Sequence, residues 1–185
     1  MRAQKPGQSA LLLLDAVELL RREGIDYLVI GAFALSVHGV IRATTDVDAL
    51  LRISARRLVK LQAQFADAGF NATLRRGDTD DPIPGLLVLS DRFGNQVDLL
   101  GGLRGLDPKT HSRAVDVPFI DSHLRIVGRE DFIAMKCFAG GPQDVLVARA
   151  AYEAAPGPLD IDLLRSVTRR LGRAAADRLE DLLSG

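Results

Sequence analysis

Two aspartates, Asp46 and Asp48, open an apolar run, and no other feature of this 185-residue chain limits its fold so tightly. Residues 47–53 are of strand type, and strand side chains alternate faces, so both carboxylates point the same way. Like charges on one face repel and raise the energy of the ionised state, unless a cation sits between them. Mg²⁺ is the fitting cation, because it is commonly held by one or two carboxylates together with substrate phosphates. Upstream, Tyr27-Leu28-Val29-Ile30 runs into Gly31-Ala32, and a short helical segment follows, ending near Gly39. A glycine turn of this kind presents backbone N–H groups that can face an anion. The stretch 27–51 thus carries a metal end and a phosphate end.

The residues around this stretch are consistent with one compact α/β (α+β) chain. A first helix is expected from Ser9, as N-cap, to about Glu23, with Gly24 as its stop and Leu13, Leu14, Val17 and Leu20 on one face. Ser54 is placed to cap a helix bearing Leu58, Leu61, Phe65 and Ala68 and ending at Gly69. Residues 71–74 read as a strand and 75–85, with charges and two prolines, as a loop. Segments 86–90 and 96–100 flank Asp91-Arg92-Phe93-Gly94-Asn95 and read as a hairpin. The second arm carries Asp98 between Val97 and Leu99. A lone carboxylate in an apolar strand is costly when buried unpaired, so Asp98 calls for a partner. Placed beside the 46–51 strand it would complete a set of three carboxylates.

Two further strands are expected at 113–119 and 124–127, joined through Asp121-Ser122. A helix follows at 129–139, broken by Gly140-Gly141-Pro142, and Pro142 suits the first turn of the next, to about Tyr152. Residues 155–158 read as a linker, and 160–171 and 173–183 as a closing helical hairpin around Gly172.

Composition narrows the function classes. The formal net charge is zero with no basic block, which argues against a broad duplex footprint, since such binding rests on phosphate neutralisation. The single cysteine, Cys137, excludes an internal disulfide and fits a reducing, cytoplasmic setting. The basic opening 1–7 leads to only four leucines before Asp15, so neither a signal peptide nor a membrane span is expected. His38 reads as a helix-end or core histidine, because no second His or Cys stands at ligand spacing.

The run Gly31-Ala32-Phe33-Ala34-Leu35, His38-Gly39, Arg42, Thr44-Thr45-Asp46-Val47-Asp48 resembles the signature of the DNA polymerase beta-like nucleotidyltransferases. It is most similar to the small prokaryotic stand-alone members, including those of toxin–antitoxin pairs and the minimal antibiotic-modifying type. Alanine at position 32 departs from the Gly or Ser usual there. The resemblance implies a nucleotidyltransferase fold: a small mixed twisted sheet flanked by helices, with a C-terminal helical segment. It implies a core over residues 1–128 and a helical segment, 129–185, packed on it. It also implies a metal-dependent enzyme, using Mg²⁺ or Mn²⁺, that moves a nucleoside monophosphate from a nucleoside triphosphate such as ATP to a hydroxyl acceptor.

Asp46, Asp48 and Asp98 would be the catalytic and metal-holding residues. Gly31, Ala32, Arg42, Thr44, Thr45, Lys136 and Asp144 would be nucleotide-binding. The last two match a helical lysine and an early aspartate of the next helix that face the cleft in the family; the acidic residue that often follows is absent here, where Val147 and Ala148 stand. The acceptor stays open among a protein, a tRNA end and a small hydroxylated molecule. The alternative is a weakly catalytic nucleotide- or partner-binding module, an antitoxin or regulator with an operon-encoded protein partner; phosphate hydrolysis by the same carboxylates is a further rival. Self-association as a homodimer is compatible with either.

Overall fold

A computed structural model of the chain describes residues 1–40, 46–78, 80–154 and 157–184. Its seven strands are β1 (Tyr27–Ile30), β2 (Asp46–Leu51), β3 (Asn71–Arg76), β4 (Gly85–Ser90), β5 (Gln96–Leu100), β6 (Val115–Phe119) and β7 (Ser122–Ile126). The helices are α1 (Ser9–Arg22), α2 (Gly31–Val37), α3 (Ala55–Asp67), α4 (Arg129–Ala139), α5 (Pro142–Glu153), α6 (Ile161–Leu171) and α7 (Arg173–Ser184). The architecture is α+β, with one mixed sheet of order β3-β4-β5-β2-β1-β7-β6. β2 runs parallel to β5, and β1 parallel to β7; the other neighbours are antiparallel.

Three helices stop for the same reason. Gly24, Gly39 and Gly69 all have positive φ just past α1, α2 and α3. In each case the next N–H reaches back to the carbonyl five residues earlier: Ile25 to Leu20, Val40 to Leu35 and Phe70 to Phe65. This is the glycine-ended cap that satisfies the last carbonyls of a helix, and the apolar contact that accompanies it is visible in the Phe65–Phe70 rings, 5.1 Å apart. Ser9 corrects the expected N-cap: it is the first helical residue, after Gln8, and its Oγ accepts from the Gln96 N–H at 3.1 Å. The hydroxyl expected to cap α1 instead ties α1 to β5. Ser54 does cap α3, accepting from the Arg57 N–H.

The pleat sorts the sheet into two faces. Val47, Ala49, Leu51, Leu87, Leu89, Val97 and Leu99 are buried on the side that carries α1 and α3. Asp46, Asp48, Gln96 and Asp98 lie on the other side, with Leu50 and Leu100 further along the same strands. There α4 closes part of the face, and α5, α6 and α7 pack around α4. A single hydrophobic cluster runs from α1 through the sheet to Leu182 of α7. β3 extends to Arg76, two residues past the expected end, because an edge strand with one solvated face tolerates charge. The other edge, β6, carries Pro118, which cannot donate to an added strand. No described helix is long and apolar enough to cross a membrane.

Candidate active site

Register assembles the site. Asp48 pairs with Ile30 of β1 on one side and with Asp98 of β5 on the other, and Asp46 pairs with Gln96. Asp46, Asp48, Gln96 and Asp98 therefore form a four-cornered polar patch on two parallel strands. The spacing argument had left the placement of Asp98 open; the parallel β2–β5 pairing sets it directly across from Asp48. Gln96 went unnoticed in the sequence. Its Nε2 donates to Asp98 Oδ1 at 2.8 Å, and its signal was the two-residue strand spacing from Asp98.

Gly31 sits at the end of β1 with φ +68, a conformation L side chains rarely adopt. A Cβ there would press into Asp48 Oδ2. Glycine is thus required twice over, by the turn and by the carboxylate lying against its Cα. Ala32 follows in the first turn of α2, half-buried.

Electrostatics mark the same place. Burial first, then Asp98, pushes the Asp48 carboxyl above its ordinary value; Lys136 opposes this and Asp46 adds to it. Burial also pushes Asp98 up, the Gln96 hydrogen bond and Arg75 pull it down, and Asp46 raises it. Among the described residues none donates a hydrogen bond to Asp48, and no three His, Cys, Asp or Glu side chains are gathered closely enough to enclose an ion. Even so, an all-oxygen donor set of repelling carboxylates, exposed at Asp46 and part-buried at Asp48 and Asp98, fits a hard divalent cation, which would relieve the repulsion.

The second wall comes from α4, whose N-terminus is pinned by a buried cluster. Arg113 donates to both oxygens of Asp131, each at 2.7 Å, and Thr110 Oγ1 donates to Asp131 Oδ1 at 2.8 Å. Two turns on, Lys136 Nζ lies 2.7 Å from Asp144 Oδ1, which comes from the first turn of α5. Gly140, left-handed at φ 65, and Pro142 at the start of α5 make the corner that aims Asp144 back at the lysine. Asp48, Gly31 and Lys136 together line one cavity of about 520 Å³. Arg42, Thr44 and Thr45, expected to contact phosphate, lie outside the described residues.

His38 is the helix-end histidine its context suggested. It caps α2, is buried, and holds the Val127 carbonyl through Nε2 at 2.8 Å. Cys137 is buried on α4, and burial pushes its thiol up to about 11, away from reactivity.

No protein-family model matches the sequence, and no curated protein matches it. Solved structures do. The antibiotic-resistance factor ANT(2'')-Ia in solution superposes with a TM-score of 0.62 at 12% identity, covering 97% of this chain and 97% of that one. The crystal structure of ANT(2'')-Ia with adenylyl-2''-tobramycin gives 0.59 at 12% identity, over 89% and 96%. The lincosamide antibiotic adenylyltransferase LnuA, lincomycin-bound, gives 0.51 at 13% identity, over 83% and 100%. At such identities the likeness establishes the fold: the chain has the architecture of these nucleotidyltransferases.

Proposed function

We propose, from that architecture, that the chain transfers a nucleoside monophosphate from a nucleoside triphosphate, probed first with ATP, to a hydroxyl acceptor. One observation carries the reading: the parallel register that sets Asp98 across from Asp48 while Gly31 lies flat against the Asp48 carboxylate. Residues 1–128 would supply the carboxylates and the phosphate turn, and 129–185 the cationic wall.

The residues divide the work along the sheet. Asp46, Asp48 and Asp98 would hold Mg²⁺ or Mn²⁺, whose chemistry is to neutralise charge on the phosphates and favour in-line displacement. Gly31 and Ala32 leave room for the β- and γ-phosphates beside the backbone. Lys136 exchanges Asp144 for the triphosphate, meeting it as a point charge on a flexible stem. Arg42, Thr44 and Thr45 add charge and hydrogen bonds to the same anion. On the far side, Asp98 accepts the acceptor's hydroxyl proton as the new acceptor O–Pα bond forms. The bond from Pα to the bridging oxygen breaks, and pyrophosphate leaves past Lys136. Gln96 keeps one Asp98 oxygen oriented meanwhile.

The test follows α-labelled nucleotide into protein, RNA and small hydroxylated acceptors, wild type against Asp98→Ala. Asp98→Ala should keep most nucleotide affinity and lose turnover by at least about 10²-fold, the size of a general-base contribution. Tight nucleotide binding with no transfer by the wild type would favour the binding module, such as the antitoxin of a toxin–antitoxin pair. Transfer that survives the substitution would remove Asp98 from the reaction.

A further inference from the structure

The cavity beside Asp48 is polar only at its carboxylate end. Gly31, Asp48 and Lys136 stand there, while the rest of its lining is apolar, with Leu50 and Leu100 as floor, Phe132 and Met135 from α4 on one wall, and Ile83 and Leu103 on the other. Leu50 and Leu100 pair in register, two residues past Asp48 and Asp98 on the same face. Two strand residues span about 7 Å, so the floor begins one small-molecule ring away from the carboxylates. Gly31 and Asp46 lie at the opposite end of the patch, since β1 runs antiparallel to β2. Displacement in line at phosphorus puts the attacking and departing oxygens on opposite sides. A triphosphate held at Gly31 and Lys136 therefore leaves the Leu50–Leu100 end for the group that attacks.

The lining also decides what kind of group fits. A nucleobase carries a rim of donors and acceptors, and each one buried without a partner costs roughly 1–3 kcal/mol. The inner wall offers no polar side chain to meet them. A compound with several ammonium groups is worse placed, because no acidic side chain lines the cavity beyond Asp48. A volume of about 520 Å³ is in the range of pockets that take small molecules.

We infer that the acceptor is a small molecule with an apolar body and a hydroxyl, seated in this cavity with its hydroxyl turned toward Asp98. This rests on the proposed nucleotidyl transfer. Base and ribose then lie outside the cavity.

The experiment uses the full chain with α-labelled ATP and Mg²⁺, and compares 2-naphthol, glycerol, an aminocyclitol bearing several ammonium groups, RNA and protein extract as acceptors. Two cavity variants accompany it: Met135→Trp, which fills the space, and Ile83→Asp, on a loop, which charges it without touching the packed core. The wild type should label 2-naphthol in preference to the other acceptors. Both variants should raise the KM for 2-naphthol by about tenfold or more, as lost apolar pocket contacts do, while leaving the KM for ATP within about twofold. 2-Naphthol alone should raise the Tm of the wild type and not of the variants. Preferential labelling of any other acceptor overturns the acceptor class and keeps the transfer reaction. A rise in the KM for ATP, with that for 2-naphthol unchanged, hands the cavity to the nucleoside and overturns the inference. No transfer to any acceptor overturns the proposed function, and this inference with it.

Discussion

Gly31 and Asp48 are a single structural unit, and the pair can be taken apart by substitution. Gly31→Ala adds a side chain in the left-handed region and drives its Cβ into the Asp48 carboxylate. The first effect alone costs about 1–2 kcal/mol. Denaturant midpoints should therefore fall further in Gly31→Ala than that, and Asp48→Ala should restore the excess but not the remainder. Additive losses across the double-mutant cycle would mean that the close approach does not set the glycine. Asp48 also makes a prediction about pH. Its folded value and that of Asp98 are raised, so the fold is favoured by these groups below the ordinary carboxylate range and loses that advantage as pH rises through the raised values. Without metal, Asp48→Asn should be more stable than wild type at pH 7, and that advantage should shrink as the pH falls toward the ordinary carboxylate range. Asp48→Asn should also lose the added stability that Mg²⁺ with triphosphate confers. An Asp48→Asn variant no more stable than wild type at pH 7 would contradict the origin assigned to these shifts. The aspartates themselves were legible in the sequence, because a carboxylate in an apolar strand advertises itself. Gln96 was not, since an amide is unremarkable at a strand end until its neighbour across the ladder is known.

Elements were readable where their stop signals are local. The glycine-ended caps of α1, α2 and α3 and the Pro142 start of α5 all follow from single residues that only certain backbone angles accept. Ser9 misled because its hydroxyl has two competing uses, a cap for its own helix and an acceptor for β5, and tertiary structure chose the second. β3 ran long because exposure on one face lets Arg75 and Arg76 stay in a ladder that a charge count assigns to loop. The β6–β7 turn holds another local conflict. Ile120 has φ 57 and is 69% exposed, a β-branched side chain in a left-handed conformation with little packing to compensate. Ile120→Gly should accordingly stabilise the protein by about 1 kcal/mol, read as a raised Tm. A lowered Tm would mean that the isoleucine makes a contact that outweighs its strain.

Over the whole molecule, the mixed sheet and its helical cover were legible as a class, but the faces were not. Period-two spacing put Asp46 with Asp48 and left open which helices would cover them; α4 does so partly because Arg113 and Asp131 lock its start far from the carboxylates. The parallel seam between β2 and β5 has a further consequence, for the order of events in folding. After Asp48 the chain must complete α3, β3 and β4 before β5 can return beside β2. Closing so long a loop is slow, whereas the β3–β4 and β4–β5 hairpins need only neighbouring residues. The three carboxylates are therefore expected to come together late, after the barrier has been crossed. Mg²⁺ with triphosphate binds what exists only then, so it should slow unfolding in proportion to its affinity and leave the refolding rate unchanged. Stopped-flow refolding that quickens with Mg²⁺ and triphosphate would place the seam in the folding nucleus instead. In the expected case, a newly made chain becomes able to hold its nucleotide only at the end of folding, and the nucleotide then acts as a brake on leaving the native state.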